Sequence, residues 1–218
     1  LHEELESAKI LYGKGHYKKS MKIVKKAKQV AWEYQRFEQL LSLLEFEGLV
    51  KFRASNAEEL NVYLEEAQNE KAKVMKIIQN KYQMRLLEDK AYYIYRKYHV
   101  ARSEEELDPY KEILNNPLLA SPEKALSNEA LWSYHNIHGI YYVTQGEAEQ
   151  ALAHDAEMVG IFENDIKYLE DNLEKYVGAL NNLALDYLDL KDAEKYNELR
   201  ERIRALPCLL YTSPSPRD

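Results

Sequence analysis

Apolar positions along this chain recur every three or four residues, the period of a helix face. Leu1, Leu5, Ala8, Leu11 and Tyr12 share one face, and Gly13-Lys14-Gly15 ends that helix, because glycine readily takes the left-handed conformation of helix ends. Tyr17, Ser20, Met21, Val24, Ala27 and Ala31 form the buried stripe of a second helix, and so short a link makes the two antiparallel neighbours. Glu33 to Ala54 reads as the next, with Phe37, Leu40, Leu41, Leu44, Gly48 and Phe52 facing inward. A mid-helix glycine costs about 1 kcal/mol against alanine, so Gly48 predicts a close helix crossing. Asn56 followed by Glu59 is an N-cap signature. From there to Tyr98 nothing breaks the pattern; one helix of that length would span about 60 Å, so a turn is expected near Gln79-Asn80.

Ser103-Glu104-Glu105-Glu106 reads as a capping box opening a short helix, which Asn115-Asn116-Pro117 stops. Ser121-Pro122-Glu123-Lys124 starts another that leads into a hairpin from Ala130 to Ile161, turning at Gly146. Asn164 to Asn172 is a polar connection pinned by Ile166, Tyr168 and Leu169. The last pair runs Leu173 to Leu190 and Asp192 to Leu206, with Pro207 closing the fold. The reading is all-α, about ten helices, in one domain over residues 1–206.

Composition supports this. The 218 residues are 45% hydrophobic, enough for a sizeable core, with only seven glycines and six prolines. Charged residues make up 31%, both signs interspersed, with a net charge of -7, which gives no global reason to expect nucleic acid. No apolar run approaches the ~18 residues of a membrane span. The chain begins at Leu1, so a fragment or processed product is expected, and the lack of a signal peptide weighs only lightly toward a cytoplasmic location. Residues 207–218 leave the helical pattern; from Cys208 onward the string resembles translated sequencing-adapter read-through or, alternatively, a disordered Ser/Pro tail. With it goes the one cysteine, leaving no disulfide framework, thiol nucleophile or cysteine-based zinc site.

Aligned on their turns, three hairpins place small and aromatic residues at matching offsets: Gly15, Tyr17, Ser20, Val24 and Ala27; Gly139, Tyr142, Gly146, Ala151 and Met158; Leu183, Ala184, Tyr187, Tyr196 and Ile203, with Lys191 where the turn glycine would be. This resembles the tetratricopeptide repeat, although Gly146 and Lys191 stand 45 residues apart, not the family's ~34. The resemblance implies an α–α solenoid whose first helices line a groove that binds an extended peptide or a helix. Carried onto this chain, that groove takes Ser133, Asn136, Ile140, Val143 and Thr144, then Asn181, Asn182, Leu185, Leu188 and Asp189. Asparagine amides both donate to and accept from a peptide backbone, and they equally serve helix-to-helix bonding.

Other candidates are weaker. His135 and His138 stand one helical turn apart, a spacing that can hold a metal, but no HExxH pattern or third nearby histidine joins them, and packing inside the hairpin is the favoured reading. Lys14, Lys18, Lys19, Lys22, Lys25, Lys26 and Lys28 decorate the second helix, with no acid between Ser7 and Trp32. A solvated face is the plainer reading, an acidic or phosphate-bearing partner the other, and the lack of interleaved aromatics disfavours nucleic acid. Tyr92, Tyr93, Tyr95 and Tyr98 suit a core edge or a recognition patch. There is no GxSxG elbow, phosphate-cradling loop or EF-hand pattern. The expectation is therefore a non-catalytic protein- or peptide-binding module without cofactor; the alternative is a regulatory or sensor segment of a larger bacterial signalling protein.

Overall fold

A computed structural model describes residues 1–206, and these are all-helical. The helices are α1 (His2–Gly13), α2 (Tyr17–Glu33), α3 (Phe37–Ala54), α4 (Ala57–Tyr98), α5 (Glu104–Leu114), α6 (Asn128–Gln145), α7 (Ala148–Glu163), α8 (Ile166–Asp171), α9 (Leu173–Asp189) and α10 (Ala193–Ala205). Two single 3-10 turns, Pro117–Leu119 and Pro122–Lys124, lie between α5 and α6, and no strand occurs among the described residues. Pro207 and the tail that follows it lie outside them.

Four of the connections share one turn. Gly15, Gln35, Gly146 and Lys191 adopt φ of 76°, 50°, 79° and 63°. In each, the N–H of this residue donates to the carbonyl three back, and the next N–H to the carbonyl five back, as in Glu147 to Tyr142 at 2.9 Å and Asp192 to Tyr187 at 2.8 Å. That pair of bonds satisfies carbonyls that a helix end leaves open. Lys191 thus does at an energetic cost what glycine does freely.

Two compact units form. The first holds Leu1–Asp89 and Asn116–Tyr134, the second Lys90–Asn115 and the residues from His135 onward. In the first, α2 packs against both α1 and α3. Its core joins Ala27, Ala31, Phe37, Leu40, Leu43 and Leu44 to Val74 and Ile77 of α4. Small residues let α1 and α2 approach: Ala8 is buried and its carbonyl accepts a 2.8 Å bond from the Ser20 hydroxyl. In the second unit α9 packs on α7 and α10, with α8 against both α7 and α9.

Several boundaries differ from the sequence reading. No turn interrupts α4 near Gln79-Asn80. Asn80 is buried, and its amide donates to the Lys124 carbonyl (3.0 Å) and accepts from the Leu126 N–H (2.9 Å). It is a tertiary clasp for the 3-10 segment, and with no glycine or proline beside it the helix runs on. The helix expected from Glu33 starts only at Phe37, after the Gln35 turn. Phe52 is exposed because Val50 takes the inward position of that last turn. Gly48 is not forced by a crossing: a Cβ there would meet only the Tyr63 hydroxyl, at an ordinary 3.6 Å. At α5 the Ser103 hydroxyl makes no cap bond; Glu106 reaches back to the Arg102 N–H instead, at 2.7 Å. Ser121-Pro122 opens one 3-10 turn rather than a helix, and the polar connection after the central hairpin folds as α8. The Asn56 cap does form, accepting from the Glu59 N–H at 2.9 Å.

Candidate functional site

In the second unit α6, α7 and α9 meet at an unusual concentration of buried titratable groups. On α7, Ala151, Asp155, Met158 and Phe162 recur at helical spacing and all are buried, so an acid occupies a core position. Asp155 lies over Gly139 of α6, where a Cβ would approach its Oδ1 to 3.2 Å. On its other side it pairs with Asp186 of α9, itself buried, whose Oδ2 has no hydrogen-bond partner among the described residues. Burial, then the neighbouring charge, pushes the Asp155 carboxyl far above the usual carboxylate range, and burial raises Asp186 as well. Neighbouring buried carboxyls resist ionising together, so Asp155 holds its proton beyond the usual carboxylate range and donates it to Asp186.

Beside them three imidazoles gather. His154 precedes Asp155 on α7, and its Nδ1 lies 3.1 Å from Nδ1 of His135. The His138 ring stacks on His154 at 5.1 Å between centroids, and the Tyr142 ring at 5.6 Å. Burial first, then repulsion from the neighbouring histidines, lowers His135 and His154 to about 4. Both are therefore neutral at pH 7, one ring donating and the other accepting. His135 and His138 are thus brought together through His154, in packed rings; among the described residues no group of three His, Cys, Asp or Glu is arranged to hold a metal ion.

The residues expected to line a groove divide. Ser133, in the first unit, is buried and donates to Glu88 at 2.7 Å. Thr144 is buried, its hydroxyl bonding the Ile140 carbonyl at 2.8 Å and lying 3.1 Å from that of Tyr110. Neither hydroxyl faces water, so both leave the set. Asn136 and Ile140 are half-buried and Val143 is at the exposed margin. Asn181, Asn182, Leu185, Leu188 and Asp189 are all exposed along one side of α9, with Leu185 and Leu188 showing 56% and 49% of their surface. The opposite side, Ala179, Leu180, Leu183 and Ala184, is buried.

His154, Asp155 and Asp186 escaped the sequence reading. The available signal was an acid standing on an apolar stripe at positions 155 and 186. The other candidates settle simply. Tyr92 and Tyr93 are exposed while Tyr95 and Tyr98 are half-buried. Of the lysines on α2 and in the link before it, Lys28 alone turns inward; Lys14, Lys18, Lys19, Lys22, Lys25 and Lys26 are exposed. No described helix is long and apolar enough to cross a membrane. No protein-family model, curated protein or solved structure matches the chain.

Proposed function

We propose that the chain is a non-catalytic interaction module, built as a tetratricopeptide-like α–α solenoid, that captures a peptide or a helix from a partner protein. The observation that carries this reading is the outer side of α9. Two leucines about half exposed alternate there with two asparagines that make no hydrogen bond among the described residues. Apolar anchors beside unspent amides suit a peptide: the leucines desolvate its side chains and the amides bond its backbone. The recurring turn, and the buried small residues Ala8, Ser20, Ala27, Ala151, Ala179 and Ala184 at helix contacts, support the repeat reading. Preformed helices would hold the contacting residues in place and keep the ordering cost of binding low.

The test is affinity capture with the wild-type chain, repeated with Leu185→Glu/Leu188→Glu and with Asn181→Ala/Asn182→Ala. These positions face water, so melting temperature and helicity stay near wild type. Loss of the captured protein with the leucine pair and weakening with the asparagine pair are expected. Undiminished recovery by both variants would refute the assignment.

A further inference from the structure

Helix α4 carries two apolar lines within the first unit. One is the buried stripe of Tyr63, Ala67, Val74, Ile77, Met84 and Leu87. The other faces water on the flank of the helix, about 100° round, where neighbours such as Val74 and Met75 divide between the two. Leu64, Met75, Tyr82 and Leu86 expose 55%, 58%, 58% and 56% of their surface, the Tyr82 hydroxyl bonding Glu38 of α3. Their separations of eleven, seven and four residues are sums of three- and four-residue steps, so the side chains fall along one line about 33 Å long. Gln68, Lys71 and Gln79 fill the intervening steps. Single exposed apolar side chains are ordinary, but a line of them at coiled-coil spacing marks a contact surface.

We propose that a second copy of this chain covers the line, the two α4 helices lying antiparallel about a two-fold axis at Met75. In that register Leu64 meets Leu86 of the second copy and Met75 meets its own counterpart. Tyr82 lies against Gln68, and Lys71 against Gln79. Every apolar residue of the line therefore meets an apolar side chain or the stem of a glutamine. A parallel pairing sets each residue against itself, so Lys71 would face Lys71 and Asp89 would face Asp89, and this like-charge cost selects the antiparallel form. Lys76 lies about 100° round the helix from Met75, on the outer flank where water screens it. A two-fold axis makes the surface self-complementary, as closed dimers require. One helix pair buries less than the roughly 1,600 Å² of a standard interface, so the dimer is reversible.

The test uses the full chain with Cys208→Ser, so that introduced thiols are the only ones. Sedimentation should show a concentration-dependent dimer. Met75→Cys should oxidise to a covalent dimer, and a mixture of Leu64→Cys and Leu86→Cys chains should cross-link. Leu64→Cys alone should not, since its two thiols lie about 33 Å apart in this register. Met75→Glu, which sets two carboxylates at the axis, should raise the dissociation constant about 100-fold with helicity unchanged. A monomer up to the solubility limit, a dimer indifferent to Met75→Glu, or Leu64→Cys linking to itself as fast as Met75→Cys would each overturn the proposal.

Discussion

The two units bury polar side chains by opposite means. In the first, opposite charges are matched. The Lys28 ammonium reaches Glu47 at 2.7 Å and Glu70 at 2.8 Å. Lys81 pairs with Glu38 and lies 3.7 Å from Glu129. In the second, like meets like: Asp155 with Asp186, and His135, His138 and His154 with one another. Matched charges keep their ionisation over a broad pH range. Burial pushes Lys28 down, but its two carboxylates outweigh that and hold it above its ordinary value. Like pairs are held together by losing charge, so their protons become part of the structure. One unit is thus a set of ion pairs indifferent to moderate pH, and the other a junction whose stability tracks it.

The largest expected effect lies on the matched side. Lys28→Met leaves the buried Glu47 without its cation and should cost about 3–5 kcal/mol in denaturant unfolding. Adding Glu47→Gln should recover most of this, because the penalty belongs to the orphaned charge rather than to the lost pair. Equal instability of the single and double variants would mean that the Lys28 stem, not its charge, matters.

The like pairs give pH-dependent effects of opposite sign, each smaller per pH unit than the loss from Lys28→Met. Asp155 binds its proton more tightly folded than unfolded, so its contribution is greatest at low pH and falls as pH rises toward the alkaline side of neutrality. Asp155→Asn should flatten that decline; the slope removed is at most about 1.4 kcal/mol per pH unit for one proton. His135 and His154 act the other way. Their folded values lie near 4, below the ordinary 6.5, so stability is full above 6.5 and is lost as pH falls toward 4. His135→Gln/His154→Gln should reduce the acid-side slope by up to twice that amount per unit. Unfolding free energies between pH 4 and 8 read both limbs, and parallel curves for wild type and variants would dismiss the junction as a proton site.

The all-helical fold was legible because period and punctuation agreed: the Gly15 and Gly146 turns, the Asn56 cap and the Asn116-Pro117 stop lie where the pattern puts them. It was illegible where a residue's role is tertiary. Asn80 carries the composition of a turn but is spent on the Lys124 and Leu126 backbone. Gln35 makes a glycine's turn without being one, and its side chain accepts from the Asn128 N–H at 2.8 Å, a partner 93 residues away. The aspartate junction was hidden for the same reason. An acid on an apolar stripe reads as a local fault until the facing helix supplies a second acid to share its proton. Of the residues expected to line a groove, the exposure of those on α9 follows from one helix wheel; the burial of Ser133 and Thr144 does not, since Glu88 and Tyr110 are remote in sequence.

The smallest effect concerns the turns, where the units can be compared residue for residue. Gly15 closes α1 in the first unit and Lys191 closes α9 in the second, with the same two backbone bonds and nearly the same positive φ. A side chain in that region strains against its own carbonyl by about 1 kcal/mol, which glycine avoids. The Lys191 side chain is exposed, and no ion pair engages it among the described residues, so little is lost on removing it. Lys191→Gly should therefore stabilise the chain by up to about 0.6 kcal/mol, after the greater backbone freedom of unfolded glycine is subtracted. Gly15→Ala should destabilise by a similar amount, its Cβ meeting open space so that only the backbone term operates. Opposite shifts in thermal midpoint establish the turns as equivalent, whereas a loss of stability in Lys191→Gly would mean that the lysine is held there by an interaction worth more than its strain.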